Sequence, residues 1–245
     1  YDWAYRTPIT IDNTKVDAEL TDFPVLINLD TSSDLLDSAQ ADGDDILFTN
    51  SDDTKLSHQI EIYDDSDGGL RAWVKIPTLA ADVDTVIYMY YGNDSVSSQE
   101  NINDVWSYDY DGVWLINEGS GTDVNDYTGN GHDGTLTGMD PATDWIEDNN
   151  GYSPDFNAYT EYVDAGELTD TYTDVTWGGW ADMDTLTQLD AFSSNGDNVS
   201  QGMAFFTLTG TEWRIQVYGT GGKKECNFTL SETELGSHYW VAKYS

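Results

Sequence analysis

The stretch His58-Gln59-Ile60-Glu61-Ile62-Tyr63, Asp64-Asp65-Ser66-Asp67-Gly68-Gly69, Leu70-Arg71-Ala72-Trp73-Val74-Lys75-Ile76-Pro77 decides the fold. Its two ends alternate polar and apolar side chains, the pattern of strands with one face in a core, and its middle is a run of turn formers. The segment therefore predicts an antiparallel hairpin that buries Leu70, Ala72, Val74 and Ile76 or the opposite set. Its acidic turn is not an EF-hand loop, because Tyr63 stands where the first Asp would be and no closing Glu follows.

The same grammar repeats on both sides. Thr7 to Asp12 alternates and turns at Asn13, Phe23 to Leu29 reads as a strand beginning near Pro24, and Asp42-Gly43-Asp44-Asp45 turns into Ile46 to Thr49. Thr85 to Tyr91 is a further strand, ending at Gly92-Asn93. Long amphipathic helical periods are absent. Many short antiparallel strands predict an all-β chain built from sandwiches. The polar, strand-poor stretch from Asn93 to Asp111 is expected to hold a boundary between a first domain, 1–108, and a second, 109–245, with Val105 and Trp106 docking the end of the linker.

Charge narrows the function classes. The chain has 46 acidic and 9 basic residues among 245, a formal charge of −37. No Lys or Arg lies between Lys75 and Arg214, and segment 198–245 balances Arg214, Lys223, Lys224 and Lys243 against Glu212, Glu225, Glu232 and Glu234. The whole excess therefore sits before residue 198. Polyanion binding needs clustered cations, so nucleic acid is excluded as a partner, and an anionic membrane surface repels the chain equally. No apolar run approaches the length of a membrane span. Such self-repulsion suits a medium at molar salt, where the Debye length falls to about 3 Å. Nine Trp, 16 Tyr and 7 Phe supply a core that disordered acidic chains lack.

The residues for catalysis are sparse. His58, His132 and His238 are the histidines, Cys226 is the one cysteine, and no Gly-x-Ser-x-Gly elbow occurs. A single cysteine also excludes an intrachain disulfide. The two-carboxylate strand motif of concanavalin-like glycosidases is missing from the chain. No catalytic residue is assigned. Trp3, Trp73, Trp114, Trp177, Trp180 and Trp240 fall in strand patterns and are expected in the core, whereas Tyr108, Tyr110, Tyr127, Tyr152, Tyr159 and Tyr172 fall in polar, loop-like surroundings. Carbohydrate-contacting residues stay unassigned. Three sequons, at Asn93, Asn198 and Asn227, are about as many as chance provides.

The best use of the acids is a hard cation. Asp123-Val124-Asn125-Asp126-Tyr127-Thr128-Gly129-Asn130-Gly131-His132-Asp133-Gly134 combines carboxylate, amide and carbonyl oxygens with glycines that permit a tight path. Asp126, Asn130 and Asp133 are the expected ligands of a structural Ca²⁺; the alternative is a solvated acidic turn.

Two resemblances sharpen this reading. Trp3 to Ile11, Asp22 to Ile27, Asp42 to Ile46, His58 to Glu61, Ala72 to Pro77 and Ile87 to Asn93 appear in the order seen in an extracellular β-domain family known only as a domain of unknown function. That resemblance covers residues 1 to about 108 and implies a β-sandwich of large archaeal, bacterial or viral surface proteins. Gln59 stands where the family usually has Glu. Residues 112 onward, through Gly112 to Leu115, Asp126 to Thr135, Tyr162 to Gly166, Val175 to Trp180 and His238 to Ala242, resemble a laminin-G-like, concanavalin A-like jelly roll. In place of that family's Phe-Asp-Gly turn the chain has Phe156-Asn157-Ala158, and the resemblance implies a jelly roll incomplete at its C-terminus. Taken together, the expectation is a non-enzymatic extracellular recognition or adhesion module, on a halophilic archaeon's surface or in a virus fibre or spike. Its partners would be a cell-surface glycan or glycoprotein and other subunits of the assembly, with no membrane insertion. The alternatives are a polysaccharide-degrading enzyme whose catalytic residues lie outside 1–245 and a structural spacer.

Overall fold

A computed structural model describes residues 2–106, 110–148, 151–158 and 160–166, and beyond them the strands named below. The chain is all-β, in antiparallel sheets with short helical turns between some strands. It divides into two compact units, one made of 1–134 with 140–155 and the other of 135–139 with 156–245.

The first unit opens with β1 (Tyr5–Ile11), β2 (Leu20–Leu29), the short helix α1 (Ser33–Ser38), β3 (Leu47–Thr49), β4 (Lys55–Leu56), β5 (His58–Asp64), β6 (Gly69–Leu79) and β7 (Thr85–Tyr91). These are the strands that alternation predicts, with β4 and α1 added. They form two sheets, ordered β1-β7-β3-β4 and β2-β6-β5. β5 and β6 form the hairpin expected over residues 58–77, with His58 opposite Val74 and Asp64 opposite Gly69, and a bulge at Glu61. Of the two burial sets left open by the sequence, Leu70, Ala72, Val74 and Ile76 face inward. They meet Phe48, Leu56, Ile87, Met89 and Tyr91 of the other sheet, Ile46 just before β3 and Leu35 of α1 in one core. Two sheets sharing one apolar interior make a sandwich.

The hairpin turn requires its glycine. Gly68 has φ +75°, and a Cβ there would lie against the Ser32 carbonyl oxygen. The turn is closed by Asp64, whose Oδ1 accepts from the Ser66 amide at 2.8 Å and the Ser66 hydroxyl at 2.6 Å.

After β7 the chain runs through α2 (Ile102–Val105) into β8 (Asp123–Val124), and later in the same unit into the hairpin of β10 (Trp145–Asp148) and β11 (Gly151–Pro154). Val105 and Trp106 are buried, as expected for a docked segment. The Trp106 indole N–H donates to Gln59 Oε1 at 2.7 Å, and the ring meets Trp73 edge-on at 5.2 Å.

In the second unit β9 (Gly134–Thr137) pairs with β12 (Tyr162–Asp164). There follow β13 (Val175–Met183), β14 (Ala191–Ser194), β15 (Gly202–Thr209), β16 (Glu212–Gly219), β17 (Gly222–Thr229) and β18 (Gly236–Tyr244). β14 to β17 form a meander, and β18 returns to pair with β13 along its whole length. Trp177, Gly178 and Trp180 lie in β13; Trp180 is 75% exposed rather than in a core.

Candidate functional site

The segment from Gly112 to Gly134 buries two polar side chains, Asp126 and Thr128, on little regular structure. Asp126 is its hub. The residue is 8% exposed and forms an isolated bridge with Trp114. Its Oδ1 accepts from the amides of Val113 at 3.1 Å and Thr128 at 3.0 Å, and from the Thr128 hydroxyl at 2.8 Å. Its Oδ2 lies 2.8 Å from the same hydroxyl and accepts from the His132 amide at 3.2 Å. Burial alone pushes this carboxyl up, and the amides of Thr128, Val113 and His132 with the Thr128 hydroxyl outweigh it, holding the group below the usual carboxylate range.

The other two expected ligands belong to the same loop with different tasks. Asp133 Oδ1 accepts from the Asp126 amide at 2.9 Å. Asn130 turns its Nδ2 toward the carbonyls of Tyr110 at 3.0 Å and Asp111 at 3.2 Å, while its amide donates to Thr128 Oγ1. The Trp114 indole donates to the His132 carbonyl at 2.7 Å. The structure thus brings Asp126, Asn130 and Asp133 together through N–H groups. Both oxygens of Asp126 and Oδ1 of Asp133 thereby face N–H and O–H donors of the loop itself. Among the described residues no group of three His, Cys, Asp or Glu side chains is placed to hold a metal ion.

Two other buried polar groups brace the sandwich in the same way. Asp45, fully buried, accepts from the Gln40 amide at 2.9 Å through Oδ1 and from the amides of Gly92 at 2.6 Å and Asn93 at 2.8 Å through Oδ2. His58 sets Nε2 3.1 Å from the Ile46 carbonyl and Nδ1 3.3 Å from the Leu56 carbonyl. A neutral ring donates to one of these. Burial, helped by the Lys55 charge and opposed by the two carbonyls, pushes its pKa down to about 4. It is a neutral core histidine, edge-on to Phe48 at 5.3 Å.

A third group closes a sheet edge. Ile60 on β5 donates its amide to Glu100 Oε1 at 2.6 Å, and the Asn101 amide donates to the His58 carbonyl at 2.9 Å. Burial pushes the Glu100 carboxyl up, against the lowering effect of the Ile60 amide and the Ser98 hydroxyl. Nothing local in the sequence announces this contact across forty residues.

Aromatic groups are the other candidate. Trp73 lies half-buried on the outer face of its sheet, with its indole N–H on Glu61 Oε2 at 3.0 Å, and Trp106 links it to Tyr110, edge-on at 5.6 Å. The expectation that Trp3, Trp73 and Trp114 lie in a core is corrected: all three are half-buried, and each indole N–H is held by a polar group, the Asp45 carbonyl, Glu61 Oε2 and the His132 carbonyl respectively. Trp106 is the buried indole of the first unit. Tyr108, Tyr159 and Tyr172 lie outside the described residues, as do the side chains of Cys226, His238 and Trp240.

Residues 42–127 match a family model described as a domain of unknown function, DUF2341. No curated protein matches the chain. The crystal structure of an S-layer domain-containing protein (residues 221–444) from Clostridium thermocellum ATCC 27405 is similar at 16% identity and a TM-score of 0.40, over 54% of this chain and 71% of that one. The matched family span takes in the β3 to β7 core strands and reaches Tyr127, one residue past the Asp126 hub.

Proposed function

We propose that this chain is a non-enzymatic recognition or adhesion module of an extracellular surface assembly that works in concentrated salt, on a haloarchaeal surface protein or a virus fibre. The observation that carries the reading is how the first unit uses its buried polar side chains. Asp45, His58, Gln59, Asp126 and Thr128 each hold a backbone group or a neighbouring side chain of the fold itself. Groups held in this way position loops and do not transfer protons to a substrate. The resemblance of the N-terminal strands to a surface β-domain family and the uncompensated acidic charge support the location, and the β13 to β18 ladder around a meander supports a laminin-G-like second part. Among the described residues no helix is long and apolar enough to cross a membrane.

A glycan array probed in molar KCl tests the binding role, and reducing-sugar release from polysaccharides tests the enzymatic alternative. Selective glycan capture by the chain, with no sugar release by the complete protein, is the expected result; release by the complete protein would replace the reading with a polysaccharide-degrading enzyme whose catalytic residues lie outside 1–245, and silence in both assays would leave a spacer. The medium has its own test. The melting temperature should fall steeply as salt is lowered below molar, since the formal charge of −37 is then unscreened. Equal melting in dilute and concentrated salt would remove the halophilic part.

A further inference from the structure

We propose that Asn93 is an acceptor for N-linked glycan, which rests on the reading of the chain as exported. Three sequons in the sequence are no more than chance provides, and the structure separates them. Asn198 lies outside the described residues. Asn227 lies within β17, opposite Arg214 in the ladder with β16. Asn93, followed by Asp94 and Ser95, sits in the turn that ends β7, half-buried, with its two following residues exposed. The residue after Asn93 is not Pro and the second is a hydroxyl residue, which are the two requirements of the acceptor motif.

The side chain is arranged with its nitrogen available. Asn93 Oδ1 accepts from the Ser95 amide at 3.1 Å and from the Ser95 hydroxyl at 2.9 Å. Its Nδ2 donates to no described residue. The backbone is fixed independently: the Asn93 amide donates to buried Asp45 and its carbonyl accepts from Gln40 Nε2 at 2.8 Å. A glycan on Nδ2 would therefore leave the turn's own hydrogen bonds in place. The donor is an oligosaccharide linked through C1 to a polyprenyl phosphate or pyrophosphate. In the transfer the Nδ2–C1 bond forms, the C1–O bond to phosphate breaks with its electron pair leaving on the phosphate, and the proton lost from Nδ2 goes to a base of the transferase. Because the folded turn holds both Asn93 and Ser95, transfer belongs to the stage of export before β7 has docked.

The test uses the whole chain, secreted from a host that carries out N-glycosylation, with a flexible added tail bearing an Asn-Ala-Thr control acceptor. Only molecules glycosylated on the tail are isolated, so every one has met the transferase. Peptide mass spectrometry should then find glycan on the peptide containing Asn93, and amidase treatment should leave an aspartate at that position. Ser95→Ala should abolish the occupancy while the parent's melting temperature is kept, since the Ser95 amide still caps Asn93; Ser95→Thr should restore it. A bare Asn93 in tail-glycosylated molecules overturns the proposal, as does occupancy unchanged in Ser95→Ala. Neither outcome touches the surface reading, which stands or falls on the salt and glycan-array measurements.

Discussion

Between Tyr5 and Tyr91 the interior is built by alternating apolar side chains from two sheets, whereas between Gly112 and Gly134 the most connected buried group is the carboxylate of Asp126. The first region has strands long enough for period two to place a whole set of side chains inside. The second has a bridge and a two-residue strand, too little ladder to satisfy its own amides. A carboxylate offers about four acceptor sites from one residue, so a single ionised acid does in the loop what a neighbouring strand does in the sandwich. Acidic residues in this chain are thus of two kinds, those that charge its surface and those that act as internal anchors.

The largest effect that sharpens the contrast is in the sandwich. Phe48→Ala removes a fully buried ring that packs on His58 and should cost about 3–5 kcal/mol in denaturant unfolding at high salt, while Leu26→Ala, 40% exposed on the outer face, should cost less than about 1 kcal/mol. Similar costs for the two would mean that the sandwich is not the region where burial decides stability.

Next comes acid. His58 has its folded pKa at about 4, below the ordinary histidine value of 6.5, so the unfolded chain takes up the proton first. Stability from this group is complete above about pH 6.5 and is lost as pH falls toward 4, on the order of 3 kcal/mol in total. Glu100, pushed up by burial, runs the other way: its contribution is present below the ordinary carboxylate value and is lost as pH rises through the raised one. Comparing the parent with His58→Gln isolates the histidine; parallel pH profiles would show that the ring takes up its proton equally readily in the folded and unfolded chain, and so that burial does not hold it neutral.

The loop anchor should give a smaller and more local loss. Asp126→Asn keeps the shape and removes the charge that the amides of Val113, Thr128 and His132 address, at a cost of about 2 kcal/mol. Since its folded value lies below its unfolded one, this contribution is present above the ordinary carboxylate range and disappears as pH falls through the lowered value. Amide exchange should rise in 112–134 and stay unchanged in β6. The smallest expected effect is that of calcium at constant ionic strength, a flat melting temperature. A rise that the double variant Asp126→Asn, Asp133→Asn abolishes would instead turn this loop's oxygens toward an ion.

What could be read in advance followed from range. The strands from Thr7 to Tyr91 were legible because alternation is a local property, and the choice of Leu70, Ala72, Val74 and Ile76 as the inner set needed only one neighbour to settle it. The expectation that Asp126, Asn130 and Asp133 share a loop was legible for the same reason, since its glycines and acids are contiguous. Their roles were not. Whether Asp126 faces a cation or the Val113 amide depends on a residue 13 positions away, and the link between Gln59 and Trp106 spans 47. The tryptophans misled for a related reason: an indole in a strand pattern is apolar enough for a core, but its N–H draws it to a polar partner that no periodicity reveals.

Asp45 ties Gln40 to Gly92 and Asn93 across some fifty residues of chain. These bonds can close only after β7 has come back to pair with β3, which predicts that they form late in folding rather than in its nucleus, with a φ-value near zero for Asp45→Asn. A chain deprived of them would reach the sandwich at nearly the same rate and leave it sooner. The buried carboxylate is a latch on the lifetime of the native state.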